Sequence, residues 1–324
     1  MSSATSSSVA PATLRTSEGT SNNTESTLLS EMNRHAFDKR IKFRELGHKY
    51  WIDGDATNLV SSTTFIHQFF GEFETNKIIG RIVNGRRHKT DPEYAYYQMT
   101  ASAIKKQWSD NAREASEAGT RMHADIEYFY NNLPVENDSV EYAQFLEFQR
   151  DHKHLEMFRT EWMIFAECLR ITGSVDAVFR DPEDDMLILG DWKRSKEIRY
   201  TPFESGKAGK FPLQHLPDTN FYHYSLQLNL YRVILEKFYG ERIKEMFLVI
   251  CHPGNAGGKY MKLPIARMDK EAELMLDFRK QQLIGLGYPE STFSDLHLDH
   301  TVANEVAAKE DDEPEVEVRI QRLL

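Results

Sequence analysis

The segment from Glu161 to Ser195 constrains the fold more than any other part of the chain. Two apolar runs flank the acidic turn 181–185, which reads DPEDD. Apolar runs on both sides of a short polar turn predict a β-hairpin. Because side chains alternate across a strand, Asp176 is expected on one face, and Asp191 and Lys193 are expected to share a face of the next strand. The hairpin therefore predicts two carboxylates and an ammonium group at one end of a sheet.

The same alternation predicts that five residues of the first strand lie together on the face opposite to Asp176. They are Ile171, Gly173, Val175, Ala177 and Phe179.

Two carboxylates that meet across a hairpin repel each other, which raises the pKa of one of them unless a cation is present. Mg²⁺ is a suitable cation, because it prefers one or two carboxylates together with waters and phosphate oxygens. Asp176 and Asp191 are the expected ligands, and Lys193 is placed to orient or deprotonate the attacking water. This arrangement suits phosphodiester hydrolysis. An Asp-x-Lys tripeptide alone fits an ordinary surface charge pair equally well.

Two amphipathic helices are predicted on either side of the hairpin. In the segment 111–131, apolar residues recur at a helical period, and His123 and Glu127 fall on a second stripe four residues apart. In the segment 224–239, Gln227 and Tyr231 lie one turn apart.

Four short motifs now carry a family resemblance. The segments 173–176 (GSVD) and 190–193 (GDWK) resemble the signature of PD-(D/E)XK nucleases. The segments 119–123 (GTRMH) and 227–231 (QLNLY) resemble the first and last motifs of the RecB-like branch of that superfamily. The resemblance implies an α/β, restriction-endonuclease-like core in the order α-β-β-β-α-β, with a central mixed sheet flanked by helices.

The resemblance also implies roles for individual residues. The implied ligands of Mg²⁺ or Mn²⁺ are His123, Asp176, Asp191 and the carbonyl of Trp192. Lys193 would prepare the attacking water and stabilise negative charge on the phosphate. Gln227 and Tyr231 would fix Lys193 or the scissile strand. Glu161 is a weaker candidate for a further acidic contact.

A nucleic-acid surface is expected beside this centre. Residues 76–108 mix basic and aromatic side chains, which can track a single strand by pairing with phosphates and stacking on bases. A solvated helical face is the alternative. Further candidate contacts are Ser62, Thr63, Arg121, Arg194, Lys207 and Lys210. The hydroxyls near Thr63 also fit a simple N-cap for a helix over 63–70.

The formal net charge of −10 counts against broad, tight DNA binding, because phosphate contacts provide most non-specific affinity. Much of the acidity falls in the loops 132–151 and 181–185 and in the C-terminal tail, so a local basic channel is still expected.

Three parts are predicted along the chain. Residues 1–35 form a Ser/Thr-rich disordered arm, 36–295 form the nuclease-like domain, and 296–324 form an acidic tail that could contact a protein partner. Neither a secretory signal nor an apolar run of about twenty residues is evident, so we expect an intracellular protein without a membrane span.

Two cysteines, Cys168 and Cys251, are expected to be free thiols. Some RecB-like nucleases hold an iron–sulfur cluster with four cysteines. Two cannot supply that set, so the chain resembles the cluster-free branch, which includes lambda-type and mitochondrial genome-maintenance exonucleases.

The expected function is a metal-dependent nuclease acting on DNA ends or single strands in replication, repair or recombination. Three alternatives are left open by the residues. They are cleavage of RNA or of internal sites in duplex DNA, nucleic-acid binding without catalysis on the same fold, and an unrelated metal-binding protein whose two aspartates lie too far apart to share an ion.

Overall fold

The computed structural model of the chain describes residues 27–202, 206–294 and 296. Residues 1–26 of the predicted arm, and the predicted acidic tail apart from Leu296, lie outside the described residues. The expected boundary of the arm differs from the structure, because helix α1 (Leu28–Met32) lies within it. Leu29 is buried, and its amide donates a 3.0 Å hydrogen bond to Asn131 Oδ1, so this part of the chain packs on the domain.

The centre of the fold is a six-stranded mixed sheet. Its strands are β3 (Val60–Ser61), β4 (Glu156–Ala166), β5 (Ile171–Arg180), β6 (Leu187–Lys193), β7 (Ile243–Ile250) and β8 (Met261–Pro264). β5 runs antiparallel to β4 and β6 and parallel to β3, while β6 and β7 are parallel. A separate hairpin consists of β1 (Ile41–Arg44) and β2 (Lys49–Ile52), which pair antiparallel.

The predicted hairpin around the acidic turn 181–185 is confirmed. β5 and β6 pair in the register Ala177↔Gly190 to Arg180↔Leu187, which places Asp176 and Asp191 just beyond the last pair. The apolar stretch before the turn forms two antiparallel strands, β4 and β5. The apolar residues 246–250 are buried in β7, which lies between β6 and β8.

The helices cover both faces of the sheet, as an α/β fold requires. They are α2 (Ser62–His67), α3 (Thr75–Asn84), α4 (Arg86–Thr90), α5 (Ala101–Tyr130), α6 (Val140–Asp151), α7 (Asn220–Ile234) and α8 (Asp269–Gly285). α5 begins ten residues before the predicted start at residue 111, where the Thr100 hydroxyl caps it by accepting from the Ala103 amide. The hydroxyl-rich turn does cap α2, through Ser61.

The two faces of the sheet bury separate apolar clusters. Leu187 and Leu189 of β6 pack in the cluster that includes α7 and α8, whereas Ile188 and Trp192 pack in the cluster that includes α5 and α6. Since side chains alternate, Asp191 and Lys193 are directed toward the α7 side.

One prediction about β5 is wrong. Val175 packs in the α7 cluster, but Ala177 and Phe179 pack in the α5 and α6 cluster, so the five residues expected on one face are divided between two faces. The change of face falls at Asp176, which has no partner in the β4–β5 ladder although the register is the same on its two sides. The pairing passes from Thr160↔Ala177 to Trp162↔Val175, and the intervening Glu161 has a left-handed φ of 44°.

In the part of the chain that the structure describes, no helix has both the length and the apolar character that crossing a bilayer requires.

Gly173 is the close-approach point between β5 and its neighbours. A Cβ there would lie 2.5 Å from Tyr231 Cε1 and 2.8 Å from Ser62 Oγ, and both of those residues are buried. We expect Gly173→Ala to lower the free energy of unfolding by about 1–3 kcal/mol through overpacking. Urea denaturation measures the change.

Gly119→Ala is the matched control. Gly119 lies inside α5, and a Cβ there would meet nothing within 4 Å. This substitution is expected to raise the free energy of unfolding by about 0.5–1 kcal/mol, because alanine favours a helix interior over glycine. A Gly173→Ala protein as stable as the native chain would contradict the proposed close packing.

Candidate metal centre

Three side chains from different elements converge beside β5, near the gap between its pairings with β3 and β6. His123 comes from α5, Glu161 from β4 and Asp176 from β5, and one ligand atom of each lies within 4.8 Å of the others. His123 Nδ1 is 3.5 Å from Glu161 Oε1 and 3.5 Å from Asp176 Oδ2. An imidazole nitrogen and two carboxylates form a set that can hold a divalent cation.

The edge of β5 explains why a cluster forms here. β4 covers one edge of β5 along most of its length. On the other edge, β3 pairs with residues 171–172 and β6 pairs with residues 177–180. Residues 173–176 therefore have no strand partner on that edge within the described chain. The open segment leaves room for side chains beside Asp176.

Glu161 reaches the cluster through an unusual backbone conformation. Its φ of 44° is uncommon for a residue with a side chain and costs on the order of 1 kcal/mol. The Ser174 hydroxyl donates a 2.9 Å hydrogen bond to Glu161 Oε2, which fixes the carboxylate. Strain of this kind, held at a cluster of ionisable groups, supports a functional role for Glu161.

Trp192 anchors the end of β6 against the cluster. Its ring is buried between Phe145 and Phe148 of α6, at centroid distances of 5.6 and 5.3 Å. Its amide donates to Asp176 Oδ2 at 3.0 Å, and its carbonyl is 2.9 Å from His123 Nε2. Because a carbonyl only accepts, Nε2 carries the proton. In the neutral tautomer the lone pair then lies on Nδ1, the atom that faces the two carboxylates.

Asp191 provides a second sign that the pocket suits a cation. The side chain is 2% exposed, and Lys193 Nζ lies 2.6 Å from its Oδ2. Apart from this contact with Lys193, neither carboxylate oxygen has a hydrogen-bond partner within the described chain. Burial, together with the negative charge of Asp176, raises the pKa of Asp191 to about 7. A buried carboxylate with unused lone pairs fits a metal or an ammonium neighbour.

The two basic groups stay protonated in this surrounding. Burial lowers the pKa of Lys193, but the charges of Asp191 and Asp176 outweigh burial and raise it. Burial also lowers the pKa of His123, and there the carboxylates of Asp176 and Glu161 outweigh it and raise the pKa to about 9. Negative charge therefore dominates the electrostatics of the centre.

The expected ligand set and the observed cluster overlap in part. The structure brings together His123 and Asp176, as the sequence predicts, and the third member of the cluster is Glu161. Asp191 lies against Lys193, and the Trp192 carbonyl is occupied by His123. The ligand set expected from the sequence stays a prediction, and the observed cluster makes Glu161 a stronger candidate ligand.

Gln227 and Tyr231 lie beside the centre on α7. Gln227 Nε2 donates to Tyr231 Oη at 2.9 Å and contacts Thr63 Oγ1 at 3.4 Å. Burial, together with the charge of Asp176, raises the pKa of Tyr231 well above its usual value. The ring of Tyr224, one turn before Gln227, lies 5.1 Å from Lys193 Nζ.

The predicted nucleic-acid contacts divide into exposed and engaged residues. Thr63 and Lys210 are exposed. Ser62 is buried, and its hydroxyl donates to the Thr172 carbonyl at 2.9 Å. Arg194 is 11% exposed and forms ion pairs with Glu141 at 2.6 Å and Glu114 at 3.0 Å.

The last two candidates have acidic neighbours. Lys207 lies 3.3 Å from Asp218, and exposed Arg121 lies 3.6 Å from Asp125.

The sequence indicates Glu161 only as a weaker candidate ligand, and it does not predict Ser174 or Tyr224 as neighbours of the centre. A signal for Tyr224 was present, because helical spacing places it on the face of Gln227 and Tyr231. Nothing in the sequence marks the left-handed conformation of Glu161.

No protein-family model and no curated protein matches the chain. Among solved structures, the crystal structure of SSO0001 is similar at 13% sequence identity and a TM-score of 0.29, covering 71% of this chain and 78% of that chain. A TM-score this low carries no argument about fold or function.

The charge of His123 predicts a pH dependence of stability. Its pKa of about 9 in the folded chain exceeds the ordinary 6.5, so the folded state holds this proton more tightly. The resulting stabilisation is complete below pH 6.5 and is lost as the pH rises through 9. In EDTA we expect the native chain to lose about 2 kcal/mol over this range through His123. Urea denaturation at both pH values measures it.

The His123→Gln variant should show a flatter dependence, whereas the exposed His154→Gln should behave as the native chain. Equal slopes for all three proteins would exclude a charged His123 between the carboxylates.

Glu161 can be tested directly as a ligand. We expect Glu161→Gln and Asp176→Asn to raise the Kd for Mn²⁺ by at least about tenfold, because each removes a charged oxygen donor. Isothermal titration calorimetry measures the Kd, with exposed Glu156→Gln on the same strand as the control. If Asp191→Asn weakens Mn²⁺ binding and Glu161→Gln does not, Glu161 is not a ligand and the cation is held by Asp176 and Asp191, as expected from the sequence.

Proposed function

We propose that the chain is a Mg²⁺- or Mn²⁺-dependent deoxyribonuclease with a core of the PD-(D/E)XK type. The observation that carries this proposal is the convergence of His123, Glu161 and Asp176 beside a buried Asp191–Lys193 pair. Phosphodiester hydrolysis needs oxygen ligands for a hard cation and a positive group near the scissile phosphate.

The order of elements supports the same reading. A helix (α6), three strands (β4, β5 and β6), a helix (α7) and a strand (β7) follow one another along the chain, and the four strands are successive neighbours in a mixed sheet. The motifs of the nuclease resemblance fall on α5, β5, β6 and α7. Residues of these motifs lie beside the open segment of β5, although more than a hundred residues separate His123 from Tyr231 along the chain.

The chemistry divides between the cation and the protein. When bound, a divalent cation would act as a Lewis acid on the scissile phosphate and favour deprotonation of the attacking water. His123, Glu161 and Asp176 would hold it, with Asp191 facing it from the next strand. Lys193, kept as an ammonium by its carboxylate neighbours, would stabilise the negative charge that develops on the phosphate.

The groups on α7 would position this ammonium and the strand. The ring of Tyr224 lies 5.1 Å from Lys193 Nζ and so limits the positions of that ammonium group. The hydrogen bond between Gln227 and Tyr231 holds these two side chains next to each other beside the centre. The exposed hydroxyl of Thr63, 3.4 Å from Gln227, adds a neutral donor for a phosphate oxygen. DNA ends or single strands are the proposed substrates, because in both the phosphate backbone can reach the site beside the open segment of β5.

The decisive experiment is cleavage of labelled single-stranded, duplex and circular DNA and of single-stranded RNA, with Mg²⁺, Mn²⁺ or EDTA. The native chain is expected to cut DNA only with metal. Asp191→Ala and Lys193→Ala are expected to lower the rate by at least about a hundredfold, since each removes a charge from the centre. Survival of circular DNA would identify an exonuclease.

Asp185→Ala and Lys153→Ala serve as controls, because both side chains are exposed and lie near the end of the sheet where Glu156 pairs with Arg180, away from Asp176. Both should cut like the native chain. Absence of cleavage in every metal, or equal cleavage by Asp191→Ala and the controls, would refute the proposed mechanism and favour nucleic-acid binding without catalysis.

A further inference from the structure

A cleft outside the metal centre lies between α3, α4 and the first turns of α5. Its volume is about 760 Å³. Aromatic and basic side chains make up most of the lining, together with Ile78, Ile82 and Gly85, and the lining falls within the region 73–108 except for Arg199.

The aromatic side chains form a continuous row. The ring centroids of Phe73 and Trp108 are 5.9 Å apart, those of Trp108 and Tyr96 are 6.1 Å apart, and those of Tyr96 and Tyr94 are 5.5 Å apart. Trp108 Nε1 donates to Tyr96 Oη at 2.9 Å, which fixes the two rings. Phe73, at one end of the row, is 62% exposed. A large exposed ring beside an open cleft is suited to stacking with a flat ligand.

The charge of the lining is opposite to that of the whole chain. Arg81, Arg86, Arg87 and Arg199 line the cleft and no acidic residue does, although the chain carries a formal charge of −10. Arg87 lies over the Tyr94 ring at 4.7 Å. Arg87 pairs with Asp91 at 3.0 Å and Arg199 pairs with Glu197 at 2.9 Å, whereas the exposed Arg86 forms no ion pair with any described residue. This surface is complementary to a phosphate backbone.

His88 adds a polar group to the same lining. Its Nε2 is 2.8 Å from the Met99 carbonyl, which only accepts, so Nε2 carries the proton. Its buried Nδ1 has no hydrogen-bond partner in the described segments of the chain. In the neutral ring Nδ1 is an acceptor, which matches the exocyclic amino group of a base.

The cleft is connected to the metal centre by two segments. Trp108 and His123 lie on the same uninterrupted helix, α5, and fifteen residues at about 1.5 Å each separate them by roughly 22 Å. Arg199 lies six residues after Lys193, at the end of β6. A stacked strand rises about 3.4 Å per nucleotide, so roughly six nucleotides span the gap.

We propose that this cleft binds unpaired nucleotides of the strand whose phosphodiester is cut at the metal centre. The statement that the strand is cut at the metal centre rests on the proposed nuclease function, whereas the statement that the strand binds in the cleft does not. Bases stack on Phe73 and Trp108, and the arginines pair with phosphates on either side. Stacking on aromatic rings is tolerant of sequence, so the cleft selects single strands over duplexes.

Binding is measured by fluorescence anisotropy in EDTA, with a labelled oligothymidylate of about 12 nucleotides, which exceeds the roughly six-nucleotide gap. Phe73→Ala and Arg86→Glu are each expected to raise its Kd by about fivefold or more. The matched controls are Leu46→Ala and Arg150→Glu, which alter an exposed apolar side chain and an exposed arginine elsewhere. The controls should bind like the native chain.

Shorter and paired ligands complete the test. An oligothymidylate of about 3 nucleotides and a blunt duplex should bind more weakly than the longer strand. Equal affinity of Phe73→Ala, Arg86→Glu and the native chain for the longer strand would overturn the proposal, as would tighter binding of the duplex.

The two proposals fail separately. Strand binding that depends on Phe73 and Arg86, without cleavage in any metal, keeps the cleft and refutes the nuclease. Metal-dependent cleavage with unchanged strand affinity in both variants keeps the nuclease and refutes the cleft.

Discussion

The open segment of β5 between its pairings with β3 and β6 is the constraint on which the candidate centre depends. A strand with continuous neighbours on both edges would have its backbone groups occupied and its side chains confined to the two faces. Here residues 173–175 pair with β4, and among the described strands none pairs with residues 173–176 on the other edge of β5. The Trp192 amide satisfies the Asp176 carboxylate, and the Ser62 hydroxyl satisfies the Thr172 carbonyl, so the interruption leaves groups that side chains can reach.

Packing on the two faces of the sheet holds this opening in place. Trp192, buried against α6, fixes the end of β6, while Tyr231 on α7 contacts the backbone at Gly173. The charged groups lie between these two apolar clusters. Taking Asp191 out of water is costly, and the attraction to Lys193 offsets part of that cost. The centre therefore combines rigid support with unbalanced negative charge, a combination that favours binding of a cation.

Much of this arrangement could be predicted from the sequence. The acidic turn 181–185 and the apolar runs beside it fix the hairpin, and helical spacing fixes the faces of α5 and α7. Those signals are local, because alternation and helical period act over a few residues. The interruption opposite Asp176 could not be predicted in this way. Glu161, in its left-handed conformation, contacts Ser174 and the cluster, and such contacts join residues that are distant along the chain.

The continuity of α5 has a consequence for any strand that occupies both the cleft and the centre. One helix carries Trp108 at one end of the path and His123 at the other, and an α-helix does not stretch. The distance between the held base and the cut bond would then be a fixed property of the protein, independent of base sequence. A fragment released from a free end that lies in the cleft would have a length set by the number of helical turns between the two residues.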